Sequence, residues 1–317
     1  MSSIPAVSPL AAPSLRGPFR LAIALLVVTT ITILWGAMTT STGSGLAFLD
    51  WPLSDGKLMP ERSLTTLPGF FEHFHRIFGA LAGMLSLGLW AWVEYGQGLQ
   101  VERATRLLAR GGLVLIIVQG VIGGVGVLKG LPALTSVTHG TLAQLTLATF
   151  AVLAYQLSER HRRTAPVTTV APGTGRRVVA IGVLVLVVQT VVGAIARHTN
   201  SPHALWTHVG NALVVFFVAT IATAFAMGRL GEVPGLKGVC QTTALLLIVQ
   251  IALGFVALLI RNSAGKSPGN VANLGTASVI SIHVLLGSLL TVLMTTLGAH
   301  VYRATRRPER PPAGAAA

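Results

Sequence analysis

Eight separate stretches of this 317-residue chain stay apolar for the roughly 20 residues that a helix needs to cross about 30 Å of hydrocarbon. They cover residues 20–39, 71–93, 111–129, 135–157, 177–197, 206–227, 238–260 and 279–302. Only 10% of the residues are charged, and the mean hydropathy of +0.72 lies far above that of a soluble domain. The chain therefore predicts an all-α integral membrane protein of eight transmembrane helices. The longest polar connection, from about residue 40 to residue 70, leaves no place for a soluble domain. Arg16 and Arg20 precede the first run as they would in a signal peptide, but the run exceeds an h-region of about 7–15 residues and lacks an A-x-A cleavage site.

The formal charge of +14 raises the question of nucleic acid, and its distribution answers it. Of the 23 Lys and Arg residues, 16 fall at alternate connections: Arg16 and Arg20; Arg103, Arg106 and Arg110; Arg160, Arg162, Arg163, Arg176 and Arg177; Arg229 and Lys237; Arg303, Arg306, Arg307 and Arg310. The positive-inside rule then puts both termini in the cytoplasm, as an even number of spans requires. The opposite face carries Lys57, Arg62, Lys129, Arg197, Arg261 and Lys266. The partner implied is a lipid bilayer and not nucleic acid. The lack of an Arg-rich, Ser-rich leader points to a bacterial inner membrane. Cys240, the lone cysteine, reads as a small buried hydrophobe.

A phrase recurs in spans three, five and seven: Val118-Gln119 with Gly123, Val188-Gln189 with Gly193, and Val249-Gln250 with Gly254. Span one keeps the glycine as Gly36. The economical reading is a duplication of four spans, residues 20–157 and 177–302, joined by a linker at 158–176 and flanked by cytoplasmic tails at 1–19 and 303–317. Halves with an even number of spans share one orientation and are related by a pseudo-twofold axis along the membrane normal. Small residues and glutamines also recur in membrane helices simply as packing positions. The duplication gains weight because it predicts where histidines fall.

His75, His139, His208 and His283 each lie near the start of an even-numbered span, at similar depth in the outer leaflet. Each half supplies two imidazoles from two helices, the pattern of bis-histidine haem ligation in a helical bundle. Zinc or copper suits them less, because no cysteine or carboxylate completes a shell. His161 in a cytoplasmic loop, His300 at the inner end of span eight, and His198 and His203 in the outer loop between spans five and six suit surface roles. Haem propionates need cationic donors, and Arg76, Lys129, Arg197 and Arg261 lie at about the right depth. Snorkelling and favourable placement at helix C-termini account for the same residues equally well. Glu72, one turn before His75, divides evenly between helix-terminus electrostatics and an acid/base role.

Thr42-Gly43-Ser44-Gly45-Leu46 with Asp50-Trp51-Pro52-Leu53, then Glu72-His73-Phe74-His75-Arg76 with Gly79, Thr138-His139-Gly140, Arg197-His198-Thr199 and His208 resemble the haem A synthase family of cytochrome oxidase biogenesis. The resemblance covers essentially all eight spans. It implies oxidation of the C8 methyl of haem O to the formyl of haem A by successive hydroxylations, the second giving a geminal diol that loses water. It further implies that His75 and His139, with Arg76 and Lys129, hold the substrate haem, that His208 and His283, with Arg197 and Arg261, hold a haem b cofactor, and that Glu72 serves the oxidation. Haem O synthase and cytochrome oxidase assembly factors are the implied partners. Where many bacterial members carry a cysteine pair, this chain has Phe48 and Ser54, so it resembles the cysteine-free branch and no thiol mechanism operates there.

Two other classes compete. A dihaem b-type electron-transfer cytochrome would use the same histidines but would need neither Glu72 nor the loop of residues 40–70. A transporter built from parallel repeats would place its polar groups at the bilayer midplane.

Overall fold

The computed structural model describes residues 14–167, 172–261 and 274–305. The expected tail ends, part of the linker, Lys266, Arg306, Arg307 and Arg310 lie outside the described residues. Among the described residues ten helices follow in order: α1 (Arg16–Ser41), α2 (Arg62–Thr65), α3 (Leu67–Tyr95), α4 (Arg103–Leu128), α5 (Ala133–Leu157), α6 (Glu159–Arg163), α7 (Pro172–Thr199), α8 (Pro202–Leu230), α9 (Leu236–Arg261) and α10 (Leu274–Ala304). All but the short α2 and α6 are long and apolar enough to cross a membrane, which gives the eight spans of an all-α integral membrane protein.

The helices run beyond the apolar runs because polar and glycine residues at their ends continue the backbone hydrogen bonding that a span requires. Local chemistry fixes several of these ends. The Thr66 hydroxyl accepts from Gly69 N–H at the start of α3, and Ser201 accepts from Ala204 N–H at the start of α8, where Pro202 opens the helix. Asn200 takes a positive φ of 54°, so α7 turns into α8 within two residues.

Helices α1, α3, α4 and α5 close a ring, each packed on the next, and α7, α8, α9 and α10 do the same. The rings meet through α1 with α10, α5 with α10, and α5 with α7. Exchanging one set for the other leaves this pattern of neighbours unchanged, which is compatible with a pseudo-twofold axis along the membrane normal.

Each ring has its apolar core at the end where the described chain begins and finishes. In the first, Ala22 and Leu25 of α1 meet Leu89 and Val93 of α3, Ala109 of α4 and Phe150 and Leu157 of α5. In the second, Val179 of α7, Ala226 and Leu230 of α8, Cys240 of α9 and Leu297 and Val301 of α10 do the same. Close approach depends on small residues there: a Cβ on Gly112 would meet the Phe150 ring at 2.6 Å, and one on Gly182 the Met294 methyl at 2.7 Å. Val27, Leu87, Leu184, Leu245 and Leu259 face outward, as lipid-facing positions do. The opposite end of each ring holds the histidines.

Candidate functional site

Four times, an odd-numbered span offers the next span a notch that a histidine fills, and in three of the four the ring also meets a carbonyl of that span. A Cβ on Gly36, Gly123, Gly193 or Gly254 would lie 2.7, 2.9, 2.8 or 3.0 Å from Cε1 of His75, His139, His208 or His283. Only the missing side chain makes room for each imidazole. One helical turn earlier sits the residue whose carbonyl meets the ring: Nδ1 lies 3.0 Å from Thr32 O in His75, 3.2 Å from Gln119 O in His139 and 3.2 Å from Gln189 O in His208. Nδ1 of His283 makes no hydrogen bond among the described residues.

The glutamines of the repeated phrase complete the arrangement from the other side. Gln119, Gln189 and Gln250 donate from Nε2 to the backbone carbonyls of His139, His208 and His283 at 2.8, 3.0 and 3.0 Å. Gln119 and Gln189 thus hold their histidines by side chain and main chain at once. The Val-Gln-x-x-x-Gly phrase is a histidine clasp, and α1 keeps its notch while replacing the glutamine by Thr32.

The clasps bring the histidines together in pairs. The His75 and His139 rings stand 6.2 Å apart between centroids at 80°, and those of His208 and His283 stand 6.3 Å apart at 87°. Two metal–imidazole bonds of about 2 Å, with each ring centre about 1.1 Å beyond its nitrogen, span roughly 6.2 Å. Both pairs therefore have the separation of two axial ligands on one metal. An Nδ1 held by a carbonyl donates its proton there and leaves Nε2 as the ligating atom. Among the described residues no group of three or more His, Cys, Asp or Glu is placed to hold a bare metal ion. Two imidazoles alone fit a metal whose other ligands come from a macrocycle, and so the residues fit haem.

Among the described residues, a roof covers the first pair. Glu72, 3% exposed, accepts from Phe48 N–H at 3.0 Å through Oε2 and pairs with Arg76 through Oε1. Arg76 in turn donates to the carbonyls of Asp50 (2.7 Å), Leu53 (2.5 Å) and Phe48 (3.0 Å). Glu72 is therefore neither a simple helix-terminus charge nor a free carboxylate, and both terminal nitrogens of Arg76 are occupied by the loop. Asp50 accepts from Gly56 and Asp55 N–H at 2.8 and 2.9 Å; chiefly the Gly56 bond holds its carboxyl below the ordinary range. The Trp51 indole lies on Gly124, beside the His139 notch, where a Cβ would come within 2.4 Å of the ring.

Phe48 and Ser54 are both buried beneath this roof against His73, whose Nδ1 lies 3.0 Å from Ser54 Oγ and whose ring meets Phe48 edge-on. His73 carries no signal in the sequence beyond its place in the motif, and Trp51 none for its contact with Gly124. Two further histidine assignments need correction. His161 and His300 are buried rather than on the surface, packed on Tyr155 with ring centroids 5.2 and 5.4 Å away, because α6 folds back onto α10. His198 ends α7 and His203 begins α8, so neither lies in a loop.

The remaining cations fall near the seam between the rings or at helix ends. Arg197 donates from NH2 to Ala37 O and Ser41 Oγ, both at 2.8 Å, reaching from α7 to α1. Arg261 approaches Asn200 Oδ1 at 3.4 Å. Lys129 follows α4, and its ammonium makes no hydrogen bond or ion pair among the described residues.

The model of the COX15-CtaA family, described as cytochrome oxidase assembly protein, matches residues 19–214. A Heme A synthase of Bacillus licheniformis is 30% identical over 185 residues, which cover 55% of this chain and 58% of that protein. One of Symbiobacterium thermophilum is 31% identical over 180 residues, covering 55% and 57%. A third, of Shouchella clausii, is 26% identical over 314 residues, covering 88% of this chain and 95% of that protein. The chain thus spans little more than half the length of the first two relatives in these matches.

Proposed function

Since this chain belongs to the COX15-CtaA family of cytochrome oxidase assembly proteins, we propose that it is a haem A synthase, which oxidises the C8 methyl of haem O to a formyl group. The observation that carries the reading is the pair of ring separations, 6.2 and 6.3 Å, each between histidines held by glycine notches. The first half receives haem O as substrate between His75 and His139, and the second holds haem b between His208 and His283. The first pair takes the substrate: the loop over it closes the site, as an oxidation that must exclude water and side reactions needs.

Haem b, when bound, supplies a one-electron carrier beside the substrate site. The chain does the rest. The notches set the ring directions, and the carbonyls of Thr32, Gln119 and Gln189 set the tautomers of His75, His139 and His208. Arg76, engaged by the loop, is assigned to holding the roof, and Lys129, with its ammonium unengaged, is assigned to a substrate propionate. Arg261 is assigned to a propionate of haem b. Glu72 keeps a negative charge one turn from His75 and ties Phe48 and Arg76 over the site. A proton passed to Glu72 during the oxidation has to displace Arg76, so carboxylate chemistry and loop position are linked. The protein sits in a bacterial inner membrane with both termini cytoplasmic, and its partners are haem O synthase and cytochrome oxidase assembly factors.

The test is co-expression with a haem O supply, followed by chromatography of the extracted haems. Haem A or its hydroxylated precursor beside haem B is the expected outcome. Haem B alone would replace this reading with the dihaem electron carrier.

A further inference from the structure

Arg197 and His198, adjacent at the end of α7, belong by chain position to the second half, yet what they touch belongs to the first. Arg197 hydrogen-bonds Ala37 O, one residue past the Gly36 notch that receives His75. His198 Nε2 lies 4.0 Å from where a Cβ on Gly140 would stand, one residue past His139. Only NH2 of Arg197 is hydrogen-bonded among the described residues, which leaves its Nε and NH1 donors unused. No carboxylate among the described residues pairs with this half-buried guanidinium. A half-buried cation at the level of the paired histidines, with donors to spare, suits an anionic ligand group.

We infer that Arg197 and His198 form a carboxylate seat that receives a propionate of the tetrapyrrole held by His75 and His139. The second half thereby supplies part of the first half's site. This assigns Arg197 to the substrate and leaves Arg261, near Asn200, to the haem b side. The inference rests on the reading of His75 and His139 as haem ligands, but not on the oxidation. Guanidinium and imidazole suit a planar carboxylate: with NH2 held by Ala37 O and Ser41 Oγ, an unused N–H of Arg197 donates to one oxygen and the ring N–H of His198 to the other.

The experiment uses the full chain, isolated with haem B in its second half, and titrates it anaerobically with haem O and with haem O dimethyl ester, whose propionates carry no charge. The signal that His75→Ala abolishes defines the first-half site. Wild type should bind the diacid roughly tenfold to a hundredfold more tightly than the diester. Arg197→Gln and His198→Ala should each weaken diacid binding and leave diester binding at the wild-type level, with Arg197→Lys restoring part of the difference. Retained haem B reports folding, and His198→Ala with Arg197→Lys carries the test if Arg197→Gln does not fold. Unchanged diacid affinity in these variants, or a loss confined to haem B of the second half, would overturn the seat. Binding is read without turnover, so a protein that seats the diacid but forms no haem A would refute the oxidation alone.

Discussion

Nδ1 of His75 lies 3.0 Å from the carbonyl oxygen of Thr32, at the position where the other three odd-numbered spans carry glutamine. His75 is thus held by main chain and notch without the side-chain arm that grips His139, His208 and His283. The clasp without a glutamine arm lies in the half assigned to a substrate that must arrive and leave.

That difference makes Thr32→Gln informative. A glutamine there should add one hydrogen bond to the His75 carbonyl, worth about 0.5–1.5 kcal/mol. Product should then leave more slowly from the first half, with haem B unaltered. Stopped-flow release of haem A from wild type and variant measures this, and equal rates would remove the argument from the missing glutamine.

The notches predict a steric phenotype. A Cβ at Gly193 would stand 2.8 Å from Cε1 of His208, so Gly193→Ala must displace the ring, at a cost of about 1–3 kcal/mol. Haem B retention should fall and the low-spin spectrum weaken, as it should in His208→Ala and His283→Ala. Gly210→Ala, where a Cβ would meet nothing within 4 Å, is the control and should behave as wild type. A normal bis-histidine spectrum in Gly193→Ala would refute the notch.

Glu72 and Arg76 form a buried pair whose side chains are 4% and 12% exposed. Removing one partner of such a pair costs about 3–5 kcal/mol, so Glu72→Ala should loosen the roof as well as remove a carboxylate. Glu72→Gln keeps an acceptor for Phe48 N–H and separates the two effects. If the charge serves the oxidation, haem A yield should fall by about 10² to 10⁴ in Glu72→Gln while haem B stays at the wild-type level. Wild-type yield from Glu72→Gln together with a loss in Glu72→Ala would confine Glu72 to holding the loop.

The charge distribution predicts that a reporter fused after residue 305, or inserted at residues 164–167, reads as cytoplasmic. An external signal from either fusion would invert the topology and place the histidine pairs in the inner leaflet.

The eight spans and the four paired histidines were legible because hydropathy and side-chain identity are properties of single segments. What Gln119 or Gly123 does was not, since each acts on a residue of another helix and the sequence alone offers two explanations for it. Glu72 was visible as an acid near His75, but its pairing with Arg76 and Phe48 depends on a loop whose path no periodicity encodes. His161 and His300 looked superficial because the short α6 that covers them is polar, and polar sequence says nothing about folding back onto α10.

The apolar cores of both rings fill only the end where the described chain begins and finishes, while the far end is lined by notches, imidazoles and unpaired donors. Without a ligand, each bundle is a pair of tongs gripped at the handle. The jaws are spaced by two rings, joined in the first half by the loop over Glu72 and Arg76 and by the packing of Trp35 on Phe70 and Phe78. A flat ligand threaded between those rings would be a structural member as much as a guest, adding to the far end the cross-bracing that leucine and phenylalanine give the near one. Amide exchange in the haem-free protein should therefore be fast around His139 and His208 and slow around Phe150 and Leu230, with haem erasing most of the gradient.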